Sequence, residues 1–78
     1  MFYTYILVSL SSNRYYIGSC ENIKKRIERH NAGTEKSTKS FVPWELVHKE
    51  SFNSRSNAVI RERQLKSWKS RKALERLF

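Results

Sequence analysis

Hydrophobic positions along this 78-residue chain fall into blocks with two different periods. Phe2 to Val8 (FYTYILV) carries no charge and is rich in aromatic and β-branched side chains, which predicts a strand buried on both faces. Leu10 to Asn13 (LSSN) has turn composition. Arg14 to Gly18 (RYYIG) then reads as a second strand that closes an antiparallel hairpin. A turn centred near Leu10 and Ser11 sets Tyr5 about opposite Tyr16. The period then changes to that of a helix, with Ile23, Arg26, Ile27 and His30 at i, i+3, i+4 and i+7. Ser19 is the expected N-cap, the helix runs from about Glu21 to His30, and Gly33 suits a left-handed stop. A polar, cationic loop follows to Pro43. Trp44 to Phe52 (WELVHKESF) returns to strand character, with Trp44, Leu46 and Phe52 on one side and Val47 on the other. Ser54 caps a long helical pattern from about Arg55 to Trp68, whose stripe is Ala58, Leu65 and Trp68 with Glu62 between them. Ser70 caps a last short helix containing Leu74 and Leu77. The expected fold is α+β in the order ββαβα(α), a small three-stranded antiparallel sheet flanked by helices. It forms one domain over residues 1–78, with no repeat or linker.

Two stripes carry polar residues where apolar ones are expected. Arg26 and His30 lie on the inward face of the first helix, and Glu62 on that of the second. A charge buried alone is costly, so such groups are paired, hydrogen-bonded or placed at the wall of a cleft. Each has an ordinary structural reading. Arg26 pairs with Glu62 or another carboxylate, His30 complements a helix dipole, Glu62 pairs with Lys66 at i+4, and the two tyrosines are cross-strand aromatics. Together, an Arg and a Glu from two helices beside two strand tyrosines would instead form a polar hollow over the sheet.

Charge narrows the class of partner. Sixteen Lys and Arg stand against seven Asp and Glu, a net charge of +9. Such a field attracts polyanions, nucleic acid first among them. No apolar run approaches the ~20 residues of a membrane span, and the N-terminus lacks the basic leader of a signal peptide. The single cysteine, Cys20, excludes an internal disulfide and favours a reducing compartment. A cytoplasmic location without membrane attachment is expected.

Tyr3-Thr4-Tyr5, then Tyr16-Ile17-Gly18, then Arg26, His30 and a downstream helical Glu62 resemble the GIY-YIG nuclease domain. This is the catalytic domain of excision-repair incision subunits and homing endonucleases. The second half-motif matches as it stands. In the first, Tyr3 replaces the glycine and Thr4 the isoleucine, while the tyrosine is kept as Tyr5. The segments STK, PWELV, KESF and RSNAVIRERQLKSWKSR extend the resemblance over the whole chain, toward the small stand-alone bacterial members. The polar residue, often Asn, that some members carry beyond the glutamate has no counterpart here, where Leu74 and Glu75 stand.

The resemblance implies metal-dependent hydrolysis of a phosphodiester bond in nucleic acid, DNA ahead of RNA. It implies catalytic roles for Tyr5, Tyr16, Arg26, His30 and Glu62. Glu62 would be the sole protein ligand of Mg²⁺ or Mn²⁺, since Mg²⁺ keeps most of its waters and takes further oxygens from phosphate. Arg26 would hold the scissile phosphate. Tyr5 would orient or deprotonate the attacking water, His30 would accept or relay the proton, and Tyr16 would position water or phosphate. Lys24, Lys25, Arg29, Lys36, Lys39, Arg61, Lys66 and Lys69 are the expected phosphate-backbone contacts, which position a duplex without reading its sequence. A protein partner would then supply specificity. The alternative from another class is a basic nucleic-acid-binding module that keeps the fold without turnover; it needs only the charges.

Overall fold

The computed structural model describes all 78 residues. A three-stranded antiparallel sheet forms its centre, with β1 (Phe2–Ser9) between β2 (Tyr15–Cys20) and β3 (Trp44–Phe52). Helix α1 (Ile23–Asn31) follows β2, a short 3-10 turn (Lys39–Phe41) interrupts the next loop, and α2 (Arg55–Ser67) and α3 (Arg71–Glu75) follow β3. The order is thus ββαβαα, as the sequence pattern indicates. No helix is long and apolar enough to cross a membrane.

Both faces of β1 are covered, which explains its unbroken apolar run. On one face Tyr5, Leu7, Cys20 and Trp44 form a buried cluster beneath Ile23 and Ile27 of α1. On the other, Ile6 and Ile17 pack with Leu65 of α2 and Leu74 of α3. Thr4, fully buried on this second face, donates its hydroxyl to the Ala58 carbonyl of α2 at 2.6 Å. That bond offsets the cost of taking a hydroxyl out of water.

Four details depart from the sequence expectation. Tyr5 pairs with Gly18, and Tyr16 with Leu7, two residues from the expected register. The turn is longer because Asn13 takes a left-handed φ of 60° and the Ser9 side chain accepts from the Ser12 backbone N–H at 3.1 Å. An even slip preserves the face, so Tyr16 still lies beside Tyr5. Strand β2 pairs as far as Cys20, because Tyr3 and Thr4 of β1 give its last residues partners. Ser19 is therefore extended, and the cap of α1 is Asn22, which accepts from the Lys25 N–H at 3.1 Å. Phe52 changes side. Ile6 pairs with His48 but Leu7 with Leu46, so a bulge at Val47 turns His48, Glu50 and Phe52 toward the α2 face. Trp68 ends α2 as an extended cap instead of continuing its stripe in the helix. Ser54 and Ser70 cap their helices as expected, and Gly33 takes φ 76°.

Candidate active site

The α1 face of the sheet holds a chain of buried polar groups. The Tyr5 hydroxyl lies 3.1 Å from His30 Nε2, and His30 Nδ1 lies 2.9 Å from the Thr38 hydroxyl. Tyr5 and His30 are each 1 % exposed and Thr38 is fully buried. Tyr16 packs edge-on against the His30 ring, with centroids 4.9 Å apart, and lies 6.4 Å from the Tyr5 ring. These geometries come from strand alternation and the helical period. Tyr5 and Tyr16 share one sheet face, and His30 comes down on them from the last turn of α1.

Gly18 makes room for this arrangement. A β-carbon at its position would lie 2.5 Å from the Tyr5 hydroxyl oxygen and 2.7 Å from Cζ, so the tyrosine ring lies across the glycine. Here the requirement is close approach, not backbone freedom.

The loop after α1 is tied to this chain from behind. Asn31 accepts from the Trp44 backbone N–H at 2.6 Å and donates to the Trp44 carbonyl at 3.1 Å. The Trp44 indole N–H in turn donates to the Thr38 carbonyl at 2.9 Å. Sequence reasoning passed over Gly18, Thr38, Asn31 and Trp44 as functional positions. Only the glycine carries a sequence signal, as the last letter of the YIG half-motif.

Arg26 is half-buried on α1, where its backbone N–H donates to the Asn22 carbonyl at 3.1 Å, and its guanidinium has no hydrogen-bond or ion-pair partner in the protein. No buried side-chain polar atom in the molecule lacks a partner, so its guanidinium reaches water. It does so in a cleft of about 280 Å³ shared with Cys20, Glu21, Lys25, Arg29 and Arg55. Four cations face one carboxylate there, which concentrates positive potential where a phosphate would enter. The charge on the inward stripe is thus at a cleft wall.

Electrostatics keep both proton-carrying groups neutral. Burial pushes the Tyr5 phenol well above the ordinary tyrosine range, Tyr16 and Glu62 add to this, and Arg26 opposes it. Burial likewise lowers His30 below its ordinary value, with Arg26 and Arg29 in the same sense and Glu35 against. The buried Cys20 thiol is raised by desolvation.

Glu62 comes from α2, which packs on the other face of the sheet, and adds the smallest of the charge effects on Tyr5. Its carboxylate is largely shielded, with 18 % side-chain exposure, and accepts from the Lys66 ammonium at 2.6 Å. No cluster of three or more His, Cys, Asp or Glu side chains forms anywhere. A single carboxylate suits a hard cation that retains its waters and shares phosphate oxygens. It does not suit a thiolate- or imidazole-bound metal. The donor set therefore fits Mg²⁺ or Mn²⁺ on Glu62, with Lys66 as the group such an ion must displace.

The expected backbone contacts divide into two groups. Lys24, Lys25, Lys36, Lys39 and Lys69 are exposed and unpaired, and Arg29 makes only a solvent-exposed 3.4 Å contact with Glu35. Arg61 is engaged within the protein: its donors meet Glu50 at 2.9 and 3.2 Å and Gln64 at 3.0 Å, and it stacks on Trp68. The bulge at Val47 brings this about by turning Glu50 toward α2. Lys66 is likewise occupied by Glu62.

Known proteins resemble this chain over almost its whole length. A sequence model described as the GIY-YIG catalytic domain matches residues 1–75. A UPF0213 protein of Natronomonas pharaonis is 42 % identical over 76 residues, covering 96 % of this chain and 87 % of its own. A UPF0213 protein of Halobacterium salinarum is 38 % identical, with both chains covered in full. The solution NMR structure of a UPF0213 protein from Bacillus halodurans superposes with a TM-score of 0.59 at 32 % identity, over 99 % of this chain and 82 % of that one. A family match over nearly every residue, with relatives of similar length and fold, makes this chain a member of the GIY-YIG family.

Proposed function

We propose that the domain hydrolyses phosphodiester bonds in nucleic acid, DNA in the first instance, with a divalent cation and little sequence preference of its own. The observation that carries this reading is the pairing of a buried Tyr5–His30 hydrogen bond with an unpaired Arg26 at the adjoining cleft. A binding module needs only the surface charges, whereas a phenol hydrogen-bonded to an imidazole near a cationic cleft is a constellation that general-base chemistry can use.

The steps follow from these groups. Arg26 and the neighbouring cations seat the phosphate, and the planar guanidinium matches two of its oxygens. The Tyr5 oxygen takes a proton from the attacking water as its own proton passes to His30 Nε2, 3.1 Å away. This relay avoids a free phenolate, which the raised Tyr5 value opposes. The Tyr16 hydroxyl, without a partner in the protein, orients water or phosphate from the adjacent strand. Arg26 then balances the extra negative charge of the pentavalent transition state. A divalent ion held by Glu62 would neutralise charge on the phosphoryl and leaving oxygens. Specificity beyond shape and charge falls to a protein partner.

The test is cleavage and binding of linear, flapped, branched and single-stranded DNAs and RNAs by the wild type and by Glu62→Ala, Arg26→Ala and Tyr5→Phe. Each is assayed with Mg²⁺, Mn²⁺ and a chelator. Glu62→Ala should abolish divalent-dependent cutting while keeping or slightly strengthening binding, since it removes a negative charge. Arg26→Ala should weaken both, with about 10²–10³ lost in rate. Tyr5→Phe should lose turnover alone. Wild-type protein that binds every substrate and cuts none would instead make this a binding module.

A further inference from the structure

We infer that Thr38 is a positioning residue that fixes the tautomer of His30 with its proton on Nδ1, leaving Nε2 bare to receive the proton of Tyr5. This inference rests on the hydrolytic reading above for its consequence, but not for its geometry.

The three groups form a closed line from Thr38 through His30 to Tyr5, with separations of 2.9 and 3.1 Å. A neutral imidazole carries one N–H and one bare nitrogen, and each hydroxyl is both donor and acceptor. Two arrangements are therefore possible. In the first, His30 Nδ1–H donates to Thr38 and Tyr5 donates to Nε2. In the second, Thr38 donates to Nδ1 and Nε2–H donates to Tyr5. Each leaves one terminal hydroxyl proton without an acceptor in the line. The phenol is the more acidic hydroxyl and the stronger donor, so leaving its proton unbonded costs more. The first arrangement is favoured, and it alone lets His30 act as a base toward Tyr5.

The hydroxyl also suits the cycle. When His30 becomes an imidazolium, both ring N–H groups must donate, and Thr38 goes on accepting from Nδ1–H unchanged. A carboxylate in this place would raise the proton affinity of the ring, whereas a hydroxyl orients it without adding charge. The other groups facing His30 are Tyr5 from β1, Tyr16 from β2, Arg26 and Arg29 on its own helix, and Glu35 from the loop. Only Glu35 is anionic, and it lies across an exposed contact with Arg29.

Thr38 is held for this role by its backbone. Its carbonyl accepts from the Trp44 indole at 2.9 Å, its N–H donates to the Glu35 carbonyl at 3.1 Å, and Asn31 clamps Trp44. The backbone is therefore fixed at both its N–H and its carbonyl, and the one partner of the buried hydroxyl is His30.

The experiment reads the His30 ring directly, by long-range ¹H–¹⁵N correlation at neutral pH on the full chain of wild type, Thr38→Ser and Thr38→Val. Single-turnover cleavage with Mg²⁺ runs in parallel. Wild type and Thr38→Ser should show a protonated Nδ1 and bare Nε2, and cut within a few-fold of each other. Thr38→Val should shift toward the other tautomer or a mixture and lose about 10²-fold in rate, with DNA affinity unchanged. A wild-type ring protonated on Nε2, or a Thr38→Val ring identical to wild type, overturns the assignment. Equal losses in the Ser and Val variants would reduce Thr38 to packing and overturn it too. If Thr38→Val fails to fold, the wild-type spectrum and Thr38→Ala decide. Expected ring shifts without cleavage by any protein would sink the hydrolytic reading and leave the tautomer assignment standing.

Discussion

Replacing Gly18 with alanine puts a methyl group where the Tyr5 ring already lies. The new carbon would stand 2.5 Å from the hydroxyl oxygen, 2.7 Å from Cζ and 3.1 Å from Cε2, against an ordinary contact of 3.4 Å or more. The hydroxyl end of the ring must retreat by about 0.9 Å to restore normal contact. Tyr5 is on the central strand and 1 % exposed, so no solvent-facing rotamer relieves the clash. A shift of that size, in any direction, upsets the 3.1 Å bond to His30. Overpacking costs about 1–3 kcal/mol and a disturbed buried hydrogen bond about 1–3 kcal/mol, offset by roughly 0.5–1 kcal/mol from removing a strand glycine. The net expectation is a loss of about 2–4 kcal/mol, a large part of the stability of a domain this size. Thermal denaturation should show Tm lower by roughly 10–25 °C. Combining Gly18→Ala with Tyr5→Phe removes the shortest contact, so the double variant should lose less than the two single losses together. A Gly18→Ala protein melting within 3 °C of wild type, or strictly additive losses, would refute the reasoning.

Three further expectations follow from features of the site and its surroundings. Lys66→Ala frees the Glu62 carboxylate from its 2.6 Å ion pair, so divalent affinity, read by water-proton relaxation with Mn²⁺, should rise about twofold; unchanged or weaker affinity would mean Lys66 does not compete for that group. The pH dependence of stability has a worked sign at both ends. His30 is lowered in the fold, so the unfolded chain binds more protons below about pH 6.5, and stability should fall as pH drops through that value and level off below the folded one. Tyr5 is raised, so the unfolded chain loses its proton first and stability should fall above about pH 10. Glu50, where hydrogen bonds from Arg61 and His48 outweigh burial and lower its value, adds an acid loss below the ordinary carboxylate range. Urea titrations of wild type and His30→Gln should differ most across the first of these windows. Finally, log affinity for duplex DNA should fall with log salt by about 0.9 per phosphate neutralised, and a flat dependence would show that the net charge of +9 is not the binding surface.

What the sequence disclosed depended on whether a feature repeats. The apolar run of β1 and the stripes of α1 and α2 are periodic, so the elements and their faces were legible, as were the Ser54 and Ser70 caps. The polar intrusions at Arg26, His30 and Glu62 stood out only because a period surrounded them. Non-repeating features stayed hidden. Asn22 competes with Ser19 for the cap, and the choice depends on how far β2 pairs with Tyr3 and Thr4. The bulge at Val47, which carries Phe52 across the sheet and ties Arg61 to Glu50, leaves no mark on composition. Thr38 lies in a loop eight residues beyond His30, and its contact exists only once Asn31 and Trp44 fold the loop back. Gly18 was visible as a letter of a motif, but its reason, the ring lying across it, is three-dimensional.

The division of the molecule into two apolar layers bears on when the chain becomes able to act. Tyr5 and Tyr16 belong to the layer under α1, the helix that carries Arg26 and His30, while Glu62 is on α2, which covers the other layer. On the hydrolytic reading, Tyr5, Tyr16, Arg26 and His30 are encoded before β3, but Arg55 of the phosphate cleft and the metal-holding Glu62 both wait for α2 to dock. During synthesis the carboxylate emerges well after the tyrosines, and it is brought near them only by closing the second layer. A chain whose α2 has not docked would thus lack both the carboxylate and one wall of the phosphate cleft, and would be unable to cut. Local opening of α2 in the finished protein would restore the same harmless state, so cutting would be confined to fully assembled molecules.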